Sequence, residues 1–541
     1  MQRGFDHVDW SELAILGAVV KPDENRLKDM SAKEGFNLND AEIHGVSLFF
    51  DDLLSSIDTV EKFYTRELES PSETCSNWRN RNPGRRPDLS EDPYNAFVRK
   101  FLIEGAKEGP LRGKKIGIKD NINVAGIPTT NASALSENYV PHKDATIVTR
   151  LLDAGADIVG KLNMDNLSFS GTSETSIFGP VRNPVNTDFS PGGSSSGSGA
   201  AVAAGLVDIA IGVDQGGSAR VPACCTGIVS IKPTHGLVPT YGLTYMDHTL
   251  DHICPITRNV DDAALVLEVI AGHDKKDPQW KSGALESPPK YSAQLKQKQS
   301  IQGIRIGAIK ESLSWPETDP EIKGCFTDTL ERLERQGAVC EVISIPLFAI
   351  SGAIWITAVV QATHAMYDSS GEGYWHGGEY NPEWNSHIGR ARKELADKMT
   401  PLLKCAMIAG RYLREDYFST YHSKAQNLRN LLREKIDEEL SKYDLLATPT
   451  MIVKPPRLKL QDITFAESLR RGVLLLNNTT AFNLSGHPAI TIPCGSRGGF
   501  PVGLQLIGKH FQEMMLFRVA KSFESEYDWR KLSNIGLAQS G

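Results

Sequence analysis

Three side chains in this sequence stand where their type and setting could do chemistry: Ser218, Ser195 and Lys119. Ser218 directly follows Gly216-Gly217 in the run DQGGSARVP. A glycine pair allows positive φ angles and lets a ligand approach the main chain closely. A serine at that point stands beside peptide N–H groups that can converge on one spot, which is a nucleophile with its own oxyanion hole. The preceding glycine cluster, Gly192–Gly199, offers a second reading. Gly193–Gly197 is GSSSG and matches the G-x-S-x-G elbow, with Ser195 as nucleophile. That elbow needs a strand before it, whereas Pro184, Asn186, Asp188 and Pro191 signal turns. A phosphate cradle is disfavoured, because no G-x-x-x-x-G-K-[ST] occurs and the Rossmann spacing is lacking. Lys119 closes the run KKIGIK ahead of Asp120-Asn121, at a strand end. Taken alone it reads as an ordinary exposed lysine. His487, in a turn between Gly486 and Pro488, reads as structural.

These residues need elements to hold them. Between the glycine clusters lies a run of small apolar residues, Ala200–Gly212, which predicts a buried helix over Ala200–Leu206 and a buried strand over Asp208–Ile211. Upstream, the patterns predict a helix at Ala96–Lys107, a strand at Lys114–Lys119, a helix at Ala145–Ala154 and a strand at Ala156–Gly160. Downstream come a strand at Ile228–Ile231, a helix at Asp261–Ala271 and a polar surface loop over 274–300. A βαβ-like unit follows: Ile304–Ile309, Glu321–Gln336 and Val339–Ile343. Residues 346–440 read as mostly helical and include the loop Gly371–Trp384, where Tyr374, Trp375, Tyr380 and Trp384 either line a pocket or anchor the loop. Strands at Asp444–Ala447, Ala489–Ile492 and Val502–Ile507 precede a last helix at Glu513–Ser525. The alternation predicts an α/β fold layered around a large sheet.

Residues 1–70 carry short apolar stripes at helical spacing, among them Val46, Phe49, Phe50, Leu53, Ile57, Val60 and Phe63. They read as an N-terminal helical segment, and a dimer contact is one use for it. Residues 71–95, rich in Pro, Asn, Arg and Gly, read as a linker, leaving 96–541 as the catalytic domain. The net charge of −7, from 59 basic and 66 acidic residues with no polybasic tract, argues against nucleic acid as a partner. Eight scattered cysteines without C-x-x-C fit a reduced, cytoplasmic enzyme. The thirteen histidines show no metal-ligand spacing, so neither metal nor cofactor is expected. The apolar run starting at Leu13 follows Asp6, Asp9 and Glu12, unlike a secretory signal. The segment Leu347–Val360 contains Ser351 and Thr357 and reads as a buried helix rather than a membrane span.

Three pieces, GIKDN at Gly117–Asn121, PGGSS at Pro191–Ser195 and DQGGSARVP at Asp214–Pro222, stand in an order and spacing that resemble the amidase signature family. GPVRNP at Gly179–Pro184, KPT at Lys232–Thr234, PITRN at Pro255–Asn259, DLLATPT at Asp444–Thr450 and GLQLIG at Gly503–Gly508 agree, so the resemblance spans roughly residues 95 to 525. The chain looks most similar to the nitrile-pathway type of bacterial amidase. The resemblance implies a large mixed β-sheet covered by helices on both faces. It also implies a catalytic triad of Ser218 as nucleophile, Ser194 as the bridging serine after a cis peptide, and Lys119 as base. Gln215, Gly216 and Gly217 match the oxyanion-hole backbone; Phe169, Ser170 and Gly171 the substrate pocket; Asp214 and Arg220 the support of the nucleophile loop. The implied activity is hydrolysis of a small-molecule amide through a serine acyl-enzyme; the homodimer is expected instead from the apolar stripes of residues 1–70. The alternatives are an amidotransferase subunit of a tRNA-dependent complex and an inactive scaffold. One departure stands out: Ser196 replaces a family glycine, which would cost about 1–2 kcal/mol if that position needs positive φ.

Overall fold

The computed structural model describes residues 19–68, 81–279, 290–297, 299–371, 373, 376–458 and 464–529. The features expected at 1–18, at 71–80, at 280–289 and at Tyr374 and Trp375 lie outside the described residues. The chain forms two compact units, Met1–Ser76 and Asn77–Gly541.

In the first unit, helices Glu24–Lys33 and Asp40–Leu68 are set by their caps. The Asp23 carboxylate accepts from the Arg26 N–H at 2.8 Å. Asn39 and Glu42 form a reciprocal capping box, with N–H to side-chain oxygen distances of 2.8 and 3.0 Å. Leu27 and Ile43 are buried, while Phe49, Val60 and Phe63 are exposed.

The second unit is built on an eleven-stranded sheet among the described residues, ordered β1-β3-β2-β4-β6-β5-β10-β11-β9-β7-β8. The strands are β1 Phe97–Ile103, β2 Lys115–Lys119, β3 Asp157–Leu162, β4 Ile209–Asp214, β5 Val229–Lys232, β6 His252–Thr257, β7 Arg305–Ile309, β8 Val339–Ile343, β9 Leu445–Pro449, β10 Ala489–Arg497 and β11 Phe500–Ile507. The sheet is mixed: β2 lies parallel to β3 and β4, β7 parallel to β8 and β9, and the remaining pairs are antiparallel.

Alternation along β4 shows how both faces are covered. Ile209, Ile211 and Val213 join the core formed with Ile147, Val148 and Leu151 of helix Thr146–Asp153 and with Val266 and Leu267 of helix Val260–Ile270. Ala210 points the other way, to Ala200 and Ala203 of helix Ser196–Ala203. That helix is wholly buried and made of small residues because its neighbours come so close. A Cβ on Gly197 would sit 2.2 Å from the Ala96 carbonyl oxygen, and one on Gly199 2.9 Å from the Pro222 ring.

Three expectations need correction. The helix expected at Ala96–Lys107 is strand β1, whose aromatic and aliphatic residues pair antiparallel with β3, Phe97 opposite Leu162. The described part of the expected linker, 81–95, lies in the second unit, where Arg85 bonds Lys100 of β1 through both its N–H and its C=O. The surface loop expected over 274–300 contains the short helix Tyr291–Leu295, with Tyr291 buried against Phe517. The described residues of 346–440 are mostly helical, as the pattern predicts. The apolar stretch Pro346–Asp368 (mean hydropathy 1.5) is long enough to span a membrane. It packs on helices Pro401–Tyr417 and Thr420–Leu440.

Candidate active site

Parallel β2, β3 and β4 bring their carboxyl ends to one edge of the sheet, the edge where α/β folds place ligands. β2 ends in Lys119 and β4 in Asp214, ahead of the loop Gln215–Ser218. A cleft of about 660 Å³, counted out to its mouth, opens there. Its polar end carries Lys119, Ser194, Ser218, Gln215 and Gly216, and Ser168, Phe169, Ser170 and Gly171 line it from the segment after β3.

Lys119 is fully buried, against the ordinary expectation for a lysine, and its Nζ lies 2.7 Å from Ser194 Oγ. Burial pushes its pKa down to about 7, opposed by the negative charges of Asp165, Asp251 and Asp214. The peptide between Gly193 and Ser194 is cis. Gly193 has no room for a side chain, since a Cβ there would meet Asp165 Oδ2. Two main-chain bonds tie this loop to its neighbours: the Asp165 N–H to the Ser194 carbonyl and the Ser195 N–H to the Ser218 carbonyl, both at 3.1 Å.

The nucleophile loop is held from behind. Trp355 Nε1 donates to the Gln215 carbonyl at 3.3 Å and Thr479 Oγ1 to the Gly216 carbonyl at 2.5 Å. With those two carbonyls engaged, the N–H groups of Gly216 and Gly217 point the opposite way, because a trans peptide sets N–H and C=O anti to each other. Gly217 has φ +139°, and a Cβ there would fall 2.3 Å from Thr479 Oγ1. Beneath the loop, Asp214 and Arg220 form a fully buried ion pair at 2.9 Å. Arg220 also donates to Gln505 Oε1 and Asn483 Oδ1, both at 2.6 Å, and to the Thr479 carbonyl at 3.2 Å. Burial alone would raise the Asp214 carboxyl; the Arg220 guanidinium outweighs it and holds the group well below the usual carboxylate range.

Every residue to which the family resemblance gives a role therefore lies at or directly beneath this cleft. Ser195 does not line it. Its hydroxyl donates to the Val213 carbonyl at 3.1 Å and accepts from the Val213 N–H at 3.2 Å, so the elbow reading fails: this serine fastens the loop to β4. Ser196 is the first residue of helix Ser196–Ala203 and has no positive φ, so the strain considered for it does not arise. His487 is buried with Nε2 2.9 Å from Asp437 Oδ1. In the aromatic loop, Trp384 packs on Tyr139 and donates to the Gly371 carbonyl at 3.0 Å, and neither it nor Tyr380 lines the cleft.

The sequence reading missed the rest of the wall. Met246, Trp355, Ile356, Leu402, Val473 and Leu476 line the cleft from separate parts of the chain, as do Asn121 and Asp251. Only Asn121, two residues after Lys119, carried a local signal. For a metal, Asp437, His487 and His510 bring ligand atoms within 4.8 Å of one another, and none of the three lines the cleft.

A family model described as Amidase matches residues 98–517. The chain is 34% identical over 510 residues to the enantioselective amidase of Rhodococcus rhodochrous, covering 93% of this chain and 96% of that one. It is 40% identical over 435 residues to a glutamyl-tRNA(Gln) amidotransferase subunit from Haloarcula marismortui, covering 79% and 99%. The crystal structure of the corresponding subunit from Thermotoga maritima aligns with a TM-score of 0.67 at 32% identity, over 80% of this chain and 88% of that one.

Proposed function

The chain belongs to the amidase signature family, and from that premise we propose that it is a self-contained amide hydrolase acting on carboxamides with a bulky apolar acyl group. Ser218 Oγ attacks the amide carbon. Its proton passes to Ser194 Oγ as the Ser194 proton passes to Lys119 Nζ, a transfer that needs Lys119 uncharged. The oxyanion is taken up by main-chain N–H groups of the Gln215–Ser218 loop. The proton on Lys119 returns through Ser194 to the departing nitrogen, and water then cleaves the acyl-Ser218 ester.

The observation that carries this reading is the wall of the cleft. Phe169, Met246, Trp355, Ile356, Leu402, Val473 and Leu476 line it, and Lys119 and Asp251 are the only charged residues among the described lining. An apolar acyl group gains by burial there. The α-carboxylate of glutamine would find no arginine among the described lining residues, and burying an unpaired charge is costly. The hydrolase from Rhodococcus also aligns with more of the chain than the amidotransferase subunit does.

The amidotransferase-subunit reading has the higher identity of the Haloarcula protein in its favour. Assay of the purified chain alone, without tRNA or ATP, separates the two. Release of ammonia from aryl and branched aliphatic carboxamides, with glutamine inert, is the expected result. Glutamine-dependent activity appearing only with partner subunits overturns the proposal.

A further inference from the structure

The proton path from Ser218 through Ser194 to Lys119 leaves one carboxyl group in the cleft without a role. β6 runs antiparallel to β4 with His252 opposite Asp214, so Asp251 arrives at the same sheet edge as the nucleophile loop. It lines the cleft together with Lys119, Ser194 and Ser218 and is only 2% exposed. Its Oδ2 accepts from the Met246 N–H at 2.8 Å and the Asp247 N–H at 3.1 Å, whereas its Oδ1 is buried with no hydrogen-bond partner. A buried polar atom left so is costly and calls for a reason.

The other acidic groups that bear on Lys119 are already committed. Asp165, in the loop after β3, accepts through Oδ1 from Thr175 Oγ1 at 2.8 Å and through Oδ2 from the Ser173 N–H at 3.0 Å. Asp214, at the end of β4, is neutralised by Arg220. The Cys254 thiol of β6 is pushed well up by burial and stays uncharged. Asp247 flanks Asp251 on its own loop, and Lys232 of β5 stands beyond, beside His252. Asp251 is thus the acidic group with an oxygen still free.

We propose that Asp251 is a positioning residue for the hydrolysis: its free carboxylate oxygen supplies the charge that compensates the ammonium formed on Lys119 during acyl transfer, and so sets the pH at which Lys119 can act as base. No bond to Asp251 forms or breaks; the proton moves only between Ser218, Ser194 and Lys119. Lys119 is fully buried, so the ammonium forms where an opposite charge acts strongly. Burial also pushes the Asp251 carboxyl up to about 7, with the Lys119 charge pulling the other way, so the two groups titrate over one pH range.

This inference rests on the serine–lysine reading above, and its test keeps the two apart. The probe is phenylmethanesulfonyl fluoride, with the rate of Ser218 sulfonylation followed by intact mass against pH. The full-length wild type should label with an acid limb near the Lys119 value of about 7. Asp251→Asn keeps an oxygen for the Met246 and Asp247 N–H groups but removes the charge; its limb should move about one unit lower, and its plateau should fall several-fold. Asp251→Ser should move the limb the same way if the asparagine variant fails to fold, and Asp251→Glu should bring it back towards wild type. Limbs of folded neutral variants that coincide with wild type overturn the role of Asp251 alone. A wild-type enzyme that does not label at Ser218 overturns the serine–lysine reading, and this inference with it.

Discussion

At the scale of single residues, the test is which serine and which protonation state the reaction uses. Ser218→Ala should lose about three or more orders of magnitude in turnover with the melting temperature little changed. Ser195→Ala should keep the chemistry and lose stability instead, by about 1–3 kcal/mol, because it strips a buried hydroxyl from the Val213 main chain. A dead Ser195→Ala beside an active Ser218→Ala would reverse the assignment. Lys119 makes a second test. Its depressed pKa means that the reactive, neutral form dominates above about pH 7 and is lost as protons are added below it. Turnover should then fall about tenfold per pH unit on the acid side and hold into alkaline pH. Arginine stays protonated throughout, so Lys119→Arg should be as inactive as Lys119→Ala; an arginine variant with most of the wild-type rate removes Lys119 from the proton transfer.

At the scale of elements, the nucleophile loop works because main chain and side chains lock it together. Gly217→Ala combines an unfavourable φ with a Cβ driven into Thr479, at a cost of about 1–3 kcal/mol, and tilts the amide groups that must meet the oxyanion. A loss of about a hundredfold in kcat without loss of fold is expected; unchanged kcat would take these amides out of the reaction. Helix Ser351–Asp368 enters the site through Trp355, at once a wall of the cleft and a donor to Gln215. Trp355→Ala should lower kcat/KM for aryl carboxamides by about ten- to a hundredfold and spare small aliphatic amides, whose acyl groups do not reach the wall. Loss of equal size on both classes would locate the role of Trp355 in the loop instead. These two elements also mark what could be read from the chain beforehand. Lys119 and Ser194 took their roles only from the family resemblance, Lys119 alone reading as an ordinary exposed lysine, while Gly216, Gly217 and Ser218 were legible because a tight loop leaves a local signature in its glycines. Trp355, Leu402, Val473 and Asp251 were not, since each reaches the cleft only through tertiary packing and sits in a sequence context no different from that of a core helix or loop. The strand β1 was misread for a related reason. Its run FVRKFLI suits either element, and pairing with β3 decides the matter.

At the scale of the whole molecule, the unit Met1–Ser76 poses the question of assembly, and we propose that it pairs two copies of the chain. On helix Asp40–Leu68, Phe49, Leu53, Ser56, Val60 and Phe63 follow one another at alternating intervals of four and three residues. That repeat has the 3.5-residue period of a seam between two long helices, and Phe50, Leu54, Ile57 and Tyr64 run along its flank and widen the apolar face. Phe49 is 63% and Val60 66% exposed within the single chain. Aromatic and branched side chains held in water at this spacing favour burial against a second helix, by roughly 1.5–3 kcal/mol for each side chain fully covered. The charged residues between them, such as Asp51, Asp52, Asp58, Glu61 and Lys62, would stay solvated outside the seam. Phe49→Glu with Val60→Glu places carboxylates in the seam of both copies, where like charges meet and lose their hydration. Light scattering should report a dimer for the wild type and a monomer for the double variant. Amide hydrolysis per chain should be nearly unchanged, because Lys119, Ser194 and Ser218 all belong to the second unit. A double variant that remains dimeric, or a wild type that is already monomeric at assay concentration, would rule the seam out as an interface.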